Sequence, residues 1–185
     1  INAEYGCVGT TEFKPLSDFA SQTPLLAKHK VIIQHGTAQP ASNPFNYEMF
    51  KTTNQFPKYV QESDLIISHA AAGTRLDVIA QLKPHIMICN DTLAGNHQME
   101  MVRANKNNKS VRMFENVNQF ANWLKTVDLE EECKNMKQFV TQKATGEEEF
   151  IELINNVKAK KHSSSIGIVF CIFGLVITFI SKYLK

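Results

Sequence analysis

Leu65-Ile66-Ile67-Ser68-His69-Ala70-Ala71-Ala72-Gly73-Thr74 is an apolar run that opens through small residues into a segment of helical character. A strand feeding a helix start leaves the first backbone N–H groups without intrahelical acceptors and adds the positive end of the helix dipole. Small side chains then let an anion approach. The stretch reads as a phosphate-binding turn, open enough for a diphosphate. Further along, Asn96-His97-Gln98 offers carboxamide and imidazole groups that both donate and accept hydrogen bonds, as sugar hydroxyls require. Taken together, the two segments point to a nucleotide-sugar site.

Working outward, apolar runs at 5–8, 31–34, 65–68, 85–89 and 111–114 predict strands, and the segment at 74–82 predicts a helix between the third and fourth. Strands alternating with helices imply a parallel sheet with crossover connections, an α/β sandwich. Val117, Phe120, Ala121 and Leu124 recur at i, i+3, i+4 and i+7, so residues 116–125 should form an amphipathic helix on that sheet. Leu129, Cys133, Met136 and Val140 mark a further helix, and Phe150, Ile151, Ile154 and Val157 another. Residues 37–44, with two prolines, read as a loop, and Thr145-Gly146 separates the two late helices.

A chain of 185 residues fits one ordinary domain with a buried core. Lys and Arg number 20 against 18 Asp and Glu, a net charge of +2, and no basic stripe interleaves with aromatics. Nucleic acid is thereby excluded as a partner. Cys7, Cys89, Cys133 and Cys171 are widely separated and form no close pair, so free thiols are expected, with neither a zinc site nor a disulfide framework. No metal is expected. The first residues have neither a basic nor an apolar leader pattern, so no signal peptide is expected.

Residues 163–181 are uncharged and almost wholly apolar. As a helix they span about 28 Å, close to the thickness of a bilayer core. Lys158, Lys160 and Lys161 flank the run on the domain side, which favours a cytosolic domain held by a C-terminal tail anchor. The expected organisation is a ligand-binding domain over 1–127, C-terminal helices over 128–162 and a transmembrane anchor over 163–185.

Other residues have more than one reading. Gly9 and Thr10 follow the first strand, where they either meet a ligand at the carboxyl edge of the sheet or cap the next helix. Asp77 lies one helical turn beyond the small-residue turn, suited to ribose hydroxyls or to a solvated helix start. His69 orients a phosphate or base, or simply fixes the turn. Arg75 is a candidate phosphate counter-charge, with an ordinary surface arginine as the alternative.

Five motifs in order, Val8-Gly9-Thr10-Thr11-Glu12-Phe13, Ile32-Ile33-Gln34-His35-Gly36, Asp64 through Thr74, Leu82-Lys83-Pro84 and Asn90 through Gln98, resemble a known family. It is the catalytic, donor-binding subunit of the eukaryotic dolichol-linked UDP-N-acetylglucosamine transferase, the C-terminal half of a GT-B glycosyltransferase. The resemblance covers roughly residues 5–125. It implies a Rossmann-like parallel sheet with UDP-GlcNAc across its switch-point crevice. The diphosphate would face Ala71 to Thr74, the ribose Asp77, and the sugar Asn96, His97 and Gln98. No cofactor is implied beyond this donor substrate.

The resemblance also implies a membrane-bound, acceptor-binding partner subunit and a GlcNAc-diphosphodolichol acceptor on the cytosolic face of the endoplasmic reticulum membrane. Transfer would be a single inverting displacement, with no catalytic base assigned in this chain. Ala71 stands where the family usually has Gly, Asp77 where bacterial relatives have Glu, and the terminal anchor is unusual in a subunit that is normally soluble. These departures leave a second expectation, a non-catalytic nucleotide-sugar-binding or tail-anchored scaffold subunit.

Overall fold

The computed structural model describes residues 4–7, 12–92, 97–105 and 107–142, with backbone alone at 4–7, 97, 104 and 141–142. The chain divides into two compact units, residues 1–144 and 145–185. All of the second unit, including the expected anchor over 163–185 and the helix around Phe150, lies outside the described residues. Among the described residues no helix is long and apolar enough to cross a membrane.

Among the described residues six strands run in chain order: β1 (Glu4–Cys7), β2 (Val31–Gln34), β3 (Glu48–Phe50), β4 (Leu65–His69), β5 (His85–Ile88) and β6 (Val111–Phe114). They form one sheet ordered β3-β2-β1-β4-β5-β6, parallel at every pairing. The helices are α1 (Lys14–Gln22), α2 (Phe56–Glu62), α3 (Ala72–Ala80), α4 (His97–Ala104), α5 (Val117–Leu124) and α6 (Leu129–Gln142). The expected α/β parallel sheet is therefore present.

Strands covered on both faces must be apolar at every position, which is why 31–33, 65–67 and 86–88 read as unbroken hydrophobic runs. Alternate side chains divide the core. Val31, Ile33, Leu65, Ile67, Ile86 and Ile88 face a layer that includes Leu16 of α1, Phe120 and Leu124 of α5, and Leu129, Cys133 and Met136 of α6. Ile32 and Ile66 face Val60 of α2 and Val78 of α3. Met87, Cys89 and Val111 meet Met99, Met101 and Val102 of α4. Edge-on packing of Phe19 on Phe120, with centroids 5.5 Å apart, ties α1 to α5.

Helix boundaries follow local chemistry. Pro15 and Pro57 sit at the starts of α1 and α2, where a missing N–H costs nothing. Asn116 Oδ1 accepts the Gln119 N–H at 2.9 Å to cap α5. Asp128 Oδ1 does the same for Glu130 and Glu131 ahead of α6, and those amide bonds hold the Asp128 carboxyl below its usual range. Lys83 Nζ donates to the Gln61 and Ser63 carbonyls, 2.6 and 2.8 Å away, closing the end of α2. Leu82 adopts φ 54°, a left-handed conformation costly for a branched side chain, and is 40% exposed.

Two elements lie beyond the sequence reading. Strand β3 is a three-residue edge strand with an exposed–half-buried pattern, and α2 is two turns long with Pro57 in its first turn. Neither carries enough periodicity to register. α3 begins at Ala72, two residues earlier than expected, and β4 runs one residue further, to His69.

Candidate functional site

The sheet order reverses at β1: β2 and β3 lie on one side of it, β4 to β6 on the other. Connections from β1 and β4 therefore leave in opposite directions and open a crevice at the carboxyl ends of those two strands. Open parallel sheets bind ligands at this position. The β1 side holds Gly9 and Thr10, which lie outside the described residues. The β4 side is the small-residue turn.

That turn is tight. Ala70 still pairs with β5 through its N–H to the Ile88 carbonyl at 2.8 Å, and Ala71 N–H folds back to the His69 carbonyl at 2.8 Å. Ala71 stands at the helix cap with φ −102° and ψ 132°, an extended conformation open to any residue, so alanine in place of glycine introduces no strain. Arg75 N–H reaches the Ala71 carbonyl at 3.0 Å and closes the first turn of α3. Ala72, Gly73 and Thr74 thus present N–H groups with no intrahelical acceptor and no side-chain cap. A Cβ placed on Gly73 would meet nothing within 4 Å. The helix start faces open space, with no acidic side chain in its first turn.

Beneath the turn, Ser68 Oγ lies 2.9 Å from the His69 carbonyl oxygen and 2.8 Å from His85 Nε2. A carbonyl only accepts, so the Ser68 hydroxyl donates to it, and His85 Nε2 must carry the proton that reaches Ser68 Oγ. His85 is fully buried, and its pKa is held well below the usual value by burial, then by the charges of Arg75 and His69. His69, at the end of β4, is 5% exposed. Its Nδ1 has no hydrogen-bond partner among the described residues, and burial lowers its pKa as well.

Arg75 is not a surface arginine. It is 8% exposed and its guanidinium donates to Ser110 Oγ at 3.4 Å, toward the loop before β6. Its charge is engaged inside the fold rather than displayed at the turn. Asp77 is exposed and lies four residues after Gly73, on the same face of α3.

Beyond β4 on the same side of the crevice, Cys89 and Asn90 follow the end of β5. Burial pushes the Cys89 thiol up to about 11, so it is no nucleophile at neutral pH. Asn90 is 4% exposed, and its backbone N–H donates to Gln98 Oε1 at 2.7 Å. Gln98 therefore lies at the crevice in the first turn of α4, with its oxygen occupied and its amide group left to donate. His97 opens α4, but its side chain and all of Asn96 lie outside the described residues. The structure brings together His69, Ala71 to Thr74 and Gln98 along adjacent strand ends. Sequence reading included Asn90 in a motif without its partners and missed the Ser68–His85 pair. A lone serine at a strand end carries no periodic signal, and these partners lie 8 and 17 residues away.

The Glycosyltransferase family 28 C-terminal domain matches residues 7–164. The chain belongs to this family. Its family 28 fold is similar to that of the glycosyltransferase SsfS6 from Streptomyces sp. SF2575, with a TM-score of 0.52, 11% identity, and coverage of 78% of this chain and 36% of that one. The UDP-N-acetylglucosamine transferase subunit ALG13 of Homo sapiens is 32% identical over 107 residues, covering 52% of this chain and 9% of that protein. The protein of the same name from Candida albicans is 34% identical over 94 residues, 40% of this chain and 32% of that one. The chain thus spans a third or less of the length of these relatives. Among the described residues of this family 28 domain, no three His, Cys, Asp or Glu side chains gather as a metal site.

Proposed function

We propose that this chain is the donor-binding subunit of a transferase that moves N-acetylglucosamine from UDP-GlcNAc to GlcNAc-diphosphodolichol, in the early assembly of lipid-linked oligosaccharide. The observation that carries this reading is the uncapped start of α3, opening from β4 at the switch point of a parallel sheet in a family 28 domain. The relatives named UDP-N-acetylglucosamine transferase subunit support the choice of donor.

In this reading the N–H groups of Ala72, Gly73 and Thr74 hold the diphosphate, with His69 beside them. Asp77 meets the ribose; Asn96, His97 and Gln98 meet the sugar; Gly9 and Thr10 form the opposite wall. The acceptor hydroxyl attacks the anomeric carbon from the side opposite UDP, inverting it to a β-linkage as the bond to the diphosphate oxygen breaks. Negative charge grows on UDP during that step, and the fixed N–H groups at the helix start stabilise it without reorganising. A membrane-bound partner subunit supplies the acceptor-binding half. The run at 163–181 tethers the chain to the endoplasmic reticulum membrane with the domain on its cytosolic face.

Co-purification of the full chain with its membrane partner in detergent, followed by assay on a short polyprenyl-diphosphate-GlcNAc, tests the proposal. The expected product carries one further GlcNAc, with release of UDP. Absence of both transfer and UDP-GlcNAc binding would reject it.

A further inference from the structure

Asn90 makes four hydrogen bonds that join three separate segments. Its Oδ1 accepts from the Thr92 N–H at 3.1 Å and the Thr92 hydroxyl at 2.6 Å, its Nδ2 donates to the Glu12 carbonyl at 2.8 Å, and its own N–H donates to Gln98 Oε1 at 2.7 Å. The carboxamide orientation is fixed by this set, since the oxygen faces two donors and the nitrogen faces a carbonyl. Glu12 belongs to the connection between β1 and α1, whereas Asn90 follows β5, and β4 lies between those strands. The Asn90–Glu12 bond therefore passes over the carboxyl end of β4, beside the turn that opens α3. Asn90 thus ties Glu12 of the β1–α1 connection and Thr92 together through its side chain, and Gln98 in the first turn of α4 through its backbone N–H.

We infer that Asn90 is a positioning residue for the sugar end of the donor. It touches no reacting atom itself. Its side-chain bonds hold its own backbone N–H in place, that N–H holds Gln98 Oε1, and the Gln98 amide is thereby kept in the orientation that leaves Nε2 for a ligand presenting an acceptor oxygen. The inference rests on the reading of the crevice as a UDP-GlcNAc site.

The test uses the full chain with its membrane partner, and calorimetry with UDP and with UDP-GlcNAc. Asn90→Asp keeps the shape and the acceptors for Thr92 but replaces the donor to Glu12 with an oxygen that meets a carbonyl. UDP-GlcNAc affinity should fall about tenfold while UDP affinity changes by less than about threefold, the scale of one lost buried hydrogen bond. In the ligand-free protein the Asn90 N–H should exchange with deuterium faster. Should Asn90→Asp fail to fold, Thr92→Val removes one bond to Asn90 Oδ1 and should shift the same ratio in the same direction. A proportionate loss for both ligands, or no loss for UDP-GlcNAc, would overturn the positioning role alone. A wild-type chain that binds neither ligand would overturn the functional reading, and the inference with it.

Discussion

The imidazole of His85 and the hydroxyl of Ser68, 2.8 Å apart, form a buried polar pair directly under the turn that leads from β4 into α3. Ser68 passes this support to the His69 carbonyl, which also receives the Ala71 N–H. The direction in which α3 sets out, and so the aim of its first N–H groups, depends on a neutral histidine inside the sheet.

A pH dependence of stability follows. Burial lowers the pKa of His85, His69 and His29 in the folded chain below the ordinary histidine value of 6.5. Between those lowered values and 6.5 the unfolded chain binds more protons, so their contribution is fully present above pH 6.5 and is lost as pH falls through the folded-state values. Thermal unfolding at pH 7.5, 6 and 5 should show a falling Tm. His85→Gln should be less stable at pH 7.5, by about 1–3 kcal/mol for the disrupted buried pair, and its acid-side slope should be shallower.

Gly73→Ala should separate stability from binding. Its Cβ enters open space on a helical backbone, so alanine gains helix propensity, up to about 1 kcal/mol, with no clash inside the protein. The same methyl occupies the approach of a diphosphate. A higher Tm together with weaker UDP binding by calorimetry is the expected pair of results. Unchanged UDP affinity would argue against the diphosphate standing there.

If Gln98 meets the sugar as proposed, Gln98→Ala should impair UDP-GlcNAc binding about tenfold more than UDP binding. Competition binding with both ligands measures the ratio. Equal losses would place Gln98 away from the hexosamine.

A chain ending at Lys161 should leave the membrane fraction when expressed without its partner, since it lacks the apolar run at 163–181. Fractionation of the truncated and full chains side by side decides this. Retention of the truncated form on membranes would remove the tether from the proposal.

The fold was legible where burial on both faces forces an unmistakable apolar run. Val31 to Ile33, Leu65 to Ile67 and Ile86 to Ile88 announce their strands because parallel packing leaves no polar side. Edge strand β3, with Glu48 exposed, has no such constraint, and a proline-initiated helix of seven residues is too short to show its period. The turn from β4 into α3 was visible because it depends on residues adjacent in sequence. Arg75 was misjudged for the opposite reason: its burial is decided by Ser110, 35 residues away across a crossover. The bond of Asn90 to Glu12 was hidden likewise, its partner being 78 residues upstream.

Leu82, left-handed and partly exposed, stands just before β5, at the amino edge of the sheet and thus at the opposite end from the crevice. Glycine at this position should raise the melting temperature, relieving about 1 kcal/mol or more of backbone strain without disturbing the ligand edge. The same polarity makes position 82 a natural place to attach a fluorophore or surface linker. A label there would report on the domain from its far side, leaving the proposed donor's doorway clear.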